Sequence, residues 1–350
     1  MEEKLLTVMD FGELNGFLDT ILNGETIRLE DLLEEIMSGD FSSFTGMLEK
    51  YLRQVFVGNL EQCRDLFLAV MLFGIFAIIL SSLSELFSNN RIALFSRYFV
   101  FLMISLLLLK SFAVTYEMAR TLLEEMGDFI GALMPVFCIA LGLANGSVTA
   151  AGHYELQLLL LLLVQKVLLA ILLPLVQLYC MLHVMDQLQE NSRFGGVLSF
   201  VKKFILFTTK ASLFASIGGS ILQTAIMPAV DGMKNQVLLK TVSLFPGLGD
   251  YANVIGEFIL QGALLIKNSV GVIGILILIL LCMKPVVVTC MYGTIIRCAS
   301  ALLQLSGEKK MTGHIWKMAD SFFLLARIQL FGGGIFFVSI AAATVAFYRR

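Results

Sequence analysis

Seven stretches of this 350-residue chain are apolar enough to sit in a lipid bilayer, and their central portions carry no aspartate or glutamate. They do carry Lys110, Lys166, Lys210, Lys284 and Arg327. Charge of one sign in a hydrocarbon setting restricts both fold and chemistry. Backbone inside lipid must satisfy its own hydrogen bonds, so these stretches are expected to be helices. The missing carboxylates argue against the acid–base chemistry of most pumps and intramembrane enzymes.

Composition agrees with a lipid environment. Hydrophobic residues make up 58% of the chain and charged residues 15%, with a mean hydropathy of +0.86. A water-soluble domain of this length would need a more polar surface. The net charge of −2 conceals an acidic first fifty residues followed by a basic remainder. No basic cluster is interleaved with aromatics, so nucleic acid is not an expected partner. Cys63, Cys138, Cys180, Cys282, Cys290 and Cys298 form no C-x-x-C, and His153, His183 and His314 stand at no ligand-like spacing to them. Neither a metal nor another cofactor is expected. Met1-Glu2-Glu3-Lys4 has no basic stretch leading into an apolar run, so no cleavable leader is expected from the sequence as it stands.

Residues 1–63 read as an N-terminal region of short amphipathic helices. Leu14, Phe17, Leu18, Ile21 and Leu22 form one stripe, Leu29, Leu32, Leu33 and Ile36 a second, and Phe41, Phe44, Leu48, Leu52 and Val55 a third. Residues 64–350 read as a polytopic transmembrane domain, with spans near 66–83, 92–116, 128–144, 156–184, 204–222, 269–296 and 320–347. The third is short and contains Pro135, which makes it a candidate re-entrant hairpin and leaves six or seven crossings. Pro174 predicts a kink in the overlong fourth. Residues 223–268 hold Pro228, Asp231-Gly232 and Phe245-Pro246-Gly247, and read as an interfacial or broken-helix segment. Arg193, Lys202, Lys203, Arg297, Lys309, Lys310 and Lys317 mark the fourth and sixth loops as cytoplasmic. The fold class is therefore all-α and membrane-spanning.

The basic residues have two readings. Near span ends, as for Lys110 and Arg327, a long side chain snorkels to the interface. Near mid-span, as for Lys284 before Pro285 and Lys166 beside Gln165, a charge facing lipid costs about 2.5–3.5 kcal/mol or more, which favours a passage or an interhelical junction. Gln165, Lys166, Lys210 and Lys284 are the candidate pore or junction residues. Gly332, Gly333, Gly334, Pro135 and Pro174 are candidate packing or hinge positions. Gly247-Leu248-Gly249-Asp250 matches the G-x-G-D of intramembrane aspartyl proteases, but that chemistry needs a second carboxylate. Asp231 and Asp186 lie outside the spans, and Asp250 as the N-cap of the following Tyr251 stripe is the simpler account. No Walker, H-E-x-x-H or Ser/His/Asp set occurs, so an enzyme is not expected.

Four runs bear a further likeness: Phe129-Ile130-Gly131-Ala132-Leu133-Met134-Pro135, Gly146-Ser147-Val148-Thr149-Ala150-Ala151, Ala229-Val230-Asp231-Gly232, and Leu264-Leu265-Ile266-Lys267-Asn268-Ser269-Val270-Gly271. In combination and order they resemble the stage III sporulation protein AE family, from about residue 60 onward. The resemblance implies a subunit of a channel complex in the mother-cell membrane around the forespore. There it would work with the other stage III membrane proteins, and a homo-oligomer is admissible. No catalytic residues follow from it. The rival from another class is an autonomous transporter for an anionic solute, with Lys166 and Lys284 as its ligands.

Overall fold

The computed structural model describes residues 12, 15, 16, 42–86, 90–145, 159–188, 194–242, 249–305 and 309–345. The first two amphipathic stripes lie outside them, as do Gly146–Ala151, Pro246 and Gly247. Among the described residues every regular element is helical. They are α1 (Ser42–Leu86), α2 (Asn90–Asn145), α3 (Leu173–Leu188, entered through a π-helix at Leu168–Leu172 and helical residues 159–167), α4 (Gly195–Val242), α5 (Gly249–Gln304) and α6 (Lys309–Val345). Five of these helices are long and apolar enough to cross a membrane, over Thr45–Leu80, Tyr98–Leu133, Leu159–Asp186, Val270–Gln304 and Met311–Ala341. The protein is a multi-pass membrane protein.

The helices are longer than the stretches that announce them. α2 has 56 residues, about 84 Å at ~1.5 Å per residue. It runs without a turn through residues 117–127, which the sequence reading leaves between two spans, and on through 128–144. A hairpin confined to 128–144 is thus replaced by the last part of one long helix. The cause is visible in its buried stripe: Val100, Ile104, Leu108, Phe112, Thr115, Ala119, Leu122, Met126, Phe129 and Leu133 recur every three or four residues. Glu117, Arg120, Glu124 and Asp128 fall on the outer side and Glu125 is half-buried at its edge, so they do not interrupt it. α1 likewise carries one stripe, Met47, Tyr51, Val55, Cys63, Leu66 and Val70, and runs unbroken through residue 63. α4 continues through Pro228 and Asp231-Gly232 to Val242, so 223–268 contains two helical stretches separated by residues outside the description.

Cross-helix pairs fix the directions. α5 and α6 are antiparallel: Ser300 Oγ donates to Thr312 O at 2.7 Å, Gly293 meets Phe323, and Gly333 meets Cys282. α2 runs parallel to α6, through Ser105 with His314 (3.0 Å) and Phe112 with Phe322 (5.5 Å between rings). α1 runs parallel to α5, through Gln62 with Tyr292 (3.3 Å) and Gly74 with Leu303. α4 joins α6 in parallel through Lys202 with Asp320 (3.4 Å) and Ser216 with Ser339 (3.2 Å). Between α3 and α4, the Asp186 carboxylate accepts the Phe194 N–H at 3.0 Å. The six helices alternate in direction around one core.

Pro174 is met by the π-helix that precedes it. Pro174 lacks an N–H and its ring crowds the preceding turn, and the widened turn at Leu168–Leu172, closed by Leu173 N–H to Leu168 O, takes up the misfit. Pro285 sits within α5 without ending it.

Candidate functional site where four helices meet

Several sequence-predicted residues converge at one level of the bundle. Gln165 on α3 donates its Nε2–H to Leu123 O of α2 at 2.8 Å, and its carboxamide lies on Gly127, where a Cβ would take its place. Leu123 and Leu168 both close on Gly332 of α6. One residue further, Gly333 receives Cys282 of α5 and Met126 of α2. Gln165, Gly332 and Gly333 therefore form a crossing at which small residues let helices approach and one amide links two of them. Gly334 has nothing within 4 Å of a Cβ built there.

Lys284 reaches the same level from α5. It stands close enough to Glu125, half-buried on α2, for its charge to act on that carboxylate, and Asp128 acts on Glu125 as well. Lys166 does not join them. It is exposed on α3 among the exposed Leu159, Leu162 and Leu163. Lys210 is exposed on α4 between Phe207 and Phe214, while Lys110 and Arg327 are exposed on α2 and α6. The side chain of Pro135 lies outside the description, and Pro174 is exposed.

What the sequence reading misses is acidic. Glu117, Glu124, Glu125 and Asp128 stand on the continuous helical segment Tyr98–Leu133, which also holds the apolar stretch of α2. Apolar stretches bounded by charge end before Glu117 and resume at Asp128. The signal that would have found them is the three-to-four-residue apolar stripe continuing beneath Glu117–Asp128. α1, packed against α2 and α5, exposes Glu61, Arg64 and Asp65 next to the Gln62–Tyr292 contact.

Toward one end, α4, α5 and α6 are tied by charge. Asp320 accepts from Arg297 Nη2 at 2.6 Å and from Lys202 Nζ at 3.4 Å, and the Arg297 guanidinium lies over Trp316 (5.1 Å) and Phe323 (4.1 Å). The G-x-G-D idea fares poorly against these directions. Residue 250 opens α5 and Asp186 closes α3, and both helices run antiparallel to α6, so these two positions stand at opposite ends of the bundle, while the side chains of Asp231 and Asp250 lie outside the description. Among the described residues, no group of three or more His, Cys, Asp or Glu side chains is placed to hold a metal ion.

Comparison with known proteins follows the same lines. The family model described as Stage III sporulation protein AE matches residues 27–346. The Stage III sporulation protein AE of Bacillus subtilis (strain 168) is 26% identical over 243 residues, which is 68% of this chain and 60% of that protein. The match therefore spans less than two thirds of the relative's length. No solved structure matches the chain. Because the family model covers nearly the whole sequence, the chain belongs to the stage III sporulation protein AE family.

Proposed function

We propose that this protein is a non-enzymatic integral membrane subunit of the sporulation channel or secretion complex that links mother cell and forespore. It resides in the mother-cell membrane and supports late forespore development. Its partners are the other stage III membrane proteins, the bilayer and further copies of itself; nucleic acid and cofactors have no part.

Beyond family membership, one observation carries this reading: Lys110, Lys166, Lys210, Lys284 and Arg327 all stand on the exterior of the helix bundle. A self-contained transporter gathers its charged ligands between its own helices. Here Leu123, Met126, Leu168 and Cys282 close around Gly332 and Gly333 at the level where such a site would lie. A chain with its cations on the outside is suited to meet other subunits, or a passage bounded by several of them. Affinity purification from sporulating cells tests this directly. The other stage III membrane proteins are expected to accompany the protein, and its recovery without them would refute the role.

The anionic-solute transporter is the second reading, and the charge of Lys284 acting on the half-buried Glu125 is what favours it, since a carboxylate held by a cation can exchange a proton. Solute uptake by the purified protein alone in liposomes, lost in Lys284→Ala, would establish it over the first.

A further inference from the structure

At one depth of the bundle, two neighbouring helices present opposite chemistry to their surroundings. Gln165 bonds to Leu123 O, which sets this part of α3 beside residues 120–128 of α2. There α3 exposes Leu162 (43%) and Leu163 (59%), with Lys166 the charge among them, its long stem able to carry the ammonium toward an interface. α2 exposes Arg120, Glu124 and Asp128. Leu123 against Gly332 places both beside the uncharged run 328–341 of α6. The charged side continues onto α1. Gln62 bonds Tyr292, which stacks on Phe322, so Glu61, Arg64 and Asp65 lie level with that pair, close to the Arg297–Asp320 tie and ten residues of α6 before Gly332.

A leucine surface and a surface of both charge signs at the same depth cannot both face lipid. From this we infer that the α2 flank carrying Glu117, Arg120, Glu124 and Asp128 is the wall of a water-filled path at the depth of the bilayer, continued along α1 by Glu61, Arg64 and Asp65 toward the Arg297–Asp320 end, while α3 faces lipid. Water, as opposed to a protein partner, is indicated by the charges themselves. Arg64 pairs with Asp65 and Arg120 with Glu124, each at 3.0 Å, with side chains 64%, 67%, 53% and 49% exposed. A covering protein would have to strip water from these already paired groups. Lys284 and Glu125 lie where this flank joins α5. The inference rests on the proposed role in a multi-subunit assembly, because a convex flank encloses water only when further subunits complete the ring.

Cysteine accessibility in native membranes tests it. Glu61→Cys, Glu117→Cys, Glu124→Cys and Asp128→Cys would be compared with Leu162→Cys and Leu163→Cys, in membranes from sporulating cells opened on both sides. The wild-type chain's own labelling serves as baseline, and the probe is a charged, membrane-impermeant maleimide. A thiol reacts as its thiolate, which lipid suppresses, so the flank is expected to label on the order of ten-fold faster than the leucine positions. If a variant fails to accumulate, Thr121→Cys on the same exposed side of α2 replaces it. Flank positions as unreactive as the leucines would mean protein or lipid covers them, and would overturn the inference. Equal reactivity at both sets would place this level outside the bilayer and overturn it too. Either failure leaves the co-purification result untouched, so the two proposals fall separately.

Discussion

Arg297 on α5 and Asp320 on α6 meet through Nη2 and Oδ1 at 2.6 Å, and Lys202 of α4 shares the same carboxylate at 3.4 Å. One anion thus holds two cations from two further helices, and the aromatic rings of Trp316 and Phe323 border the guanidinium. With side chains 35% and 26% exposed, the Arg297–Asp320 pair is only partly hydrated.

Asp320→Asn should therefore destabilise the protein, because it leaves two neighbouring cations without their shared counter-charge. A loss of about 1–3 kcal/mol is expected, between the values for surface and buried pairs. Arg297→Lys should lose less, keeping the charge while forfeiting the planar contact with the rings. Arg64→Ala, which breaks an exposed pair between sequence neighbours, should leave the melting temperature in detergent unchanged. An equal drop for Arg64→Ala and Asp320→Asn would show that the three-helix tie carries no special weight.

Lys284 and Glu125 should prove coupled. Lys284→Leu removes the cation that acts on the half-buried Glu125, and Lys284→Arg keeps it. Spore yield is expected to fall with the leucine and to survive the arginine. Adding Glu125→Gln to Lys284→Leu should restore part of the loss in thermal stability, with a coupling of about 0.5–3 kcal/mol in the double-mutant cycle. Strict additivity of the two single changes would count against the pairing.

The glycine run of α6 separates into positions that are closed and one that is open. A methyl at Gly332 would sit 2.8 Å from Leu123 Cδ2, and one at Gly333 2.8 Å from Cys282 Sγ, while Gly334 has nothing within 4 Å. Gly332→Val and Gly333→Val should cost about 1–3 kcal/mol through overpacking. Gly334→Ala should be neutral or stabilise by up to ~1 kcal/mol, since alanine is the better helix former. Membrane abundance and melting temperature in detergent would report the order. If all three substitutions behaved alike, the run would not be a packing site of the kind described.

The sequence reveals that this is a helical membrane chain, because long apolar runs without acids at their centres admit little else. It also flags Gln165, Lys284 and the Gly332–Gly333 step, each chemically odd for its surroundings. Helix continuity is harder to read. Glu117–Asp128 look like a loop because charge is dense there, yet Ala119, Leu122 and Met126 carry the buried stripe straight through. Which side of a helix faces its neighbours depends on partners distant in sequence. For this reason Lys166 and Lys284, alike in the linear chain, end on different surfaces, one among exposed leucines and the other where its charge acts on Glu125.

A size exchange between α2 and α3 tests the crossing most directly. Gly127→Ala should push the Gln165 carboxamide from its seat and weaken the bond to Leu123 O, because a Cβ there takes the place of the amide. Gln165→Ala should lose that bond, about 0.5–1.5 kcal/mol, and open a gap over the glycine. In the double variant the new methyl enters the space the amide has left. It should therefore be more stable than the sum of the single losses predicts, by an amount readable in detergent melting curves. Two losses that simply add would mean that Gly127 and Gln165 do not share one contact, and the level at which α2, α3, α5 and α6 meet would need to be redrawn.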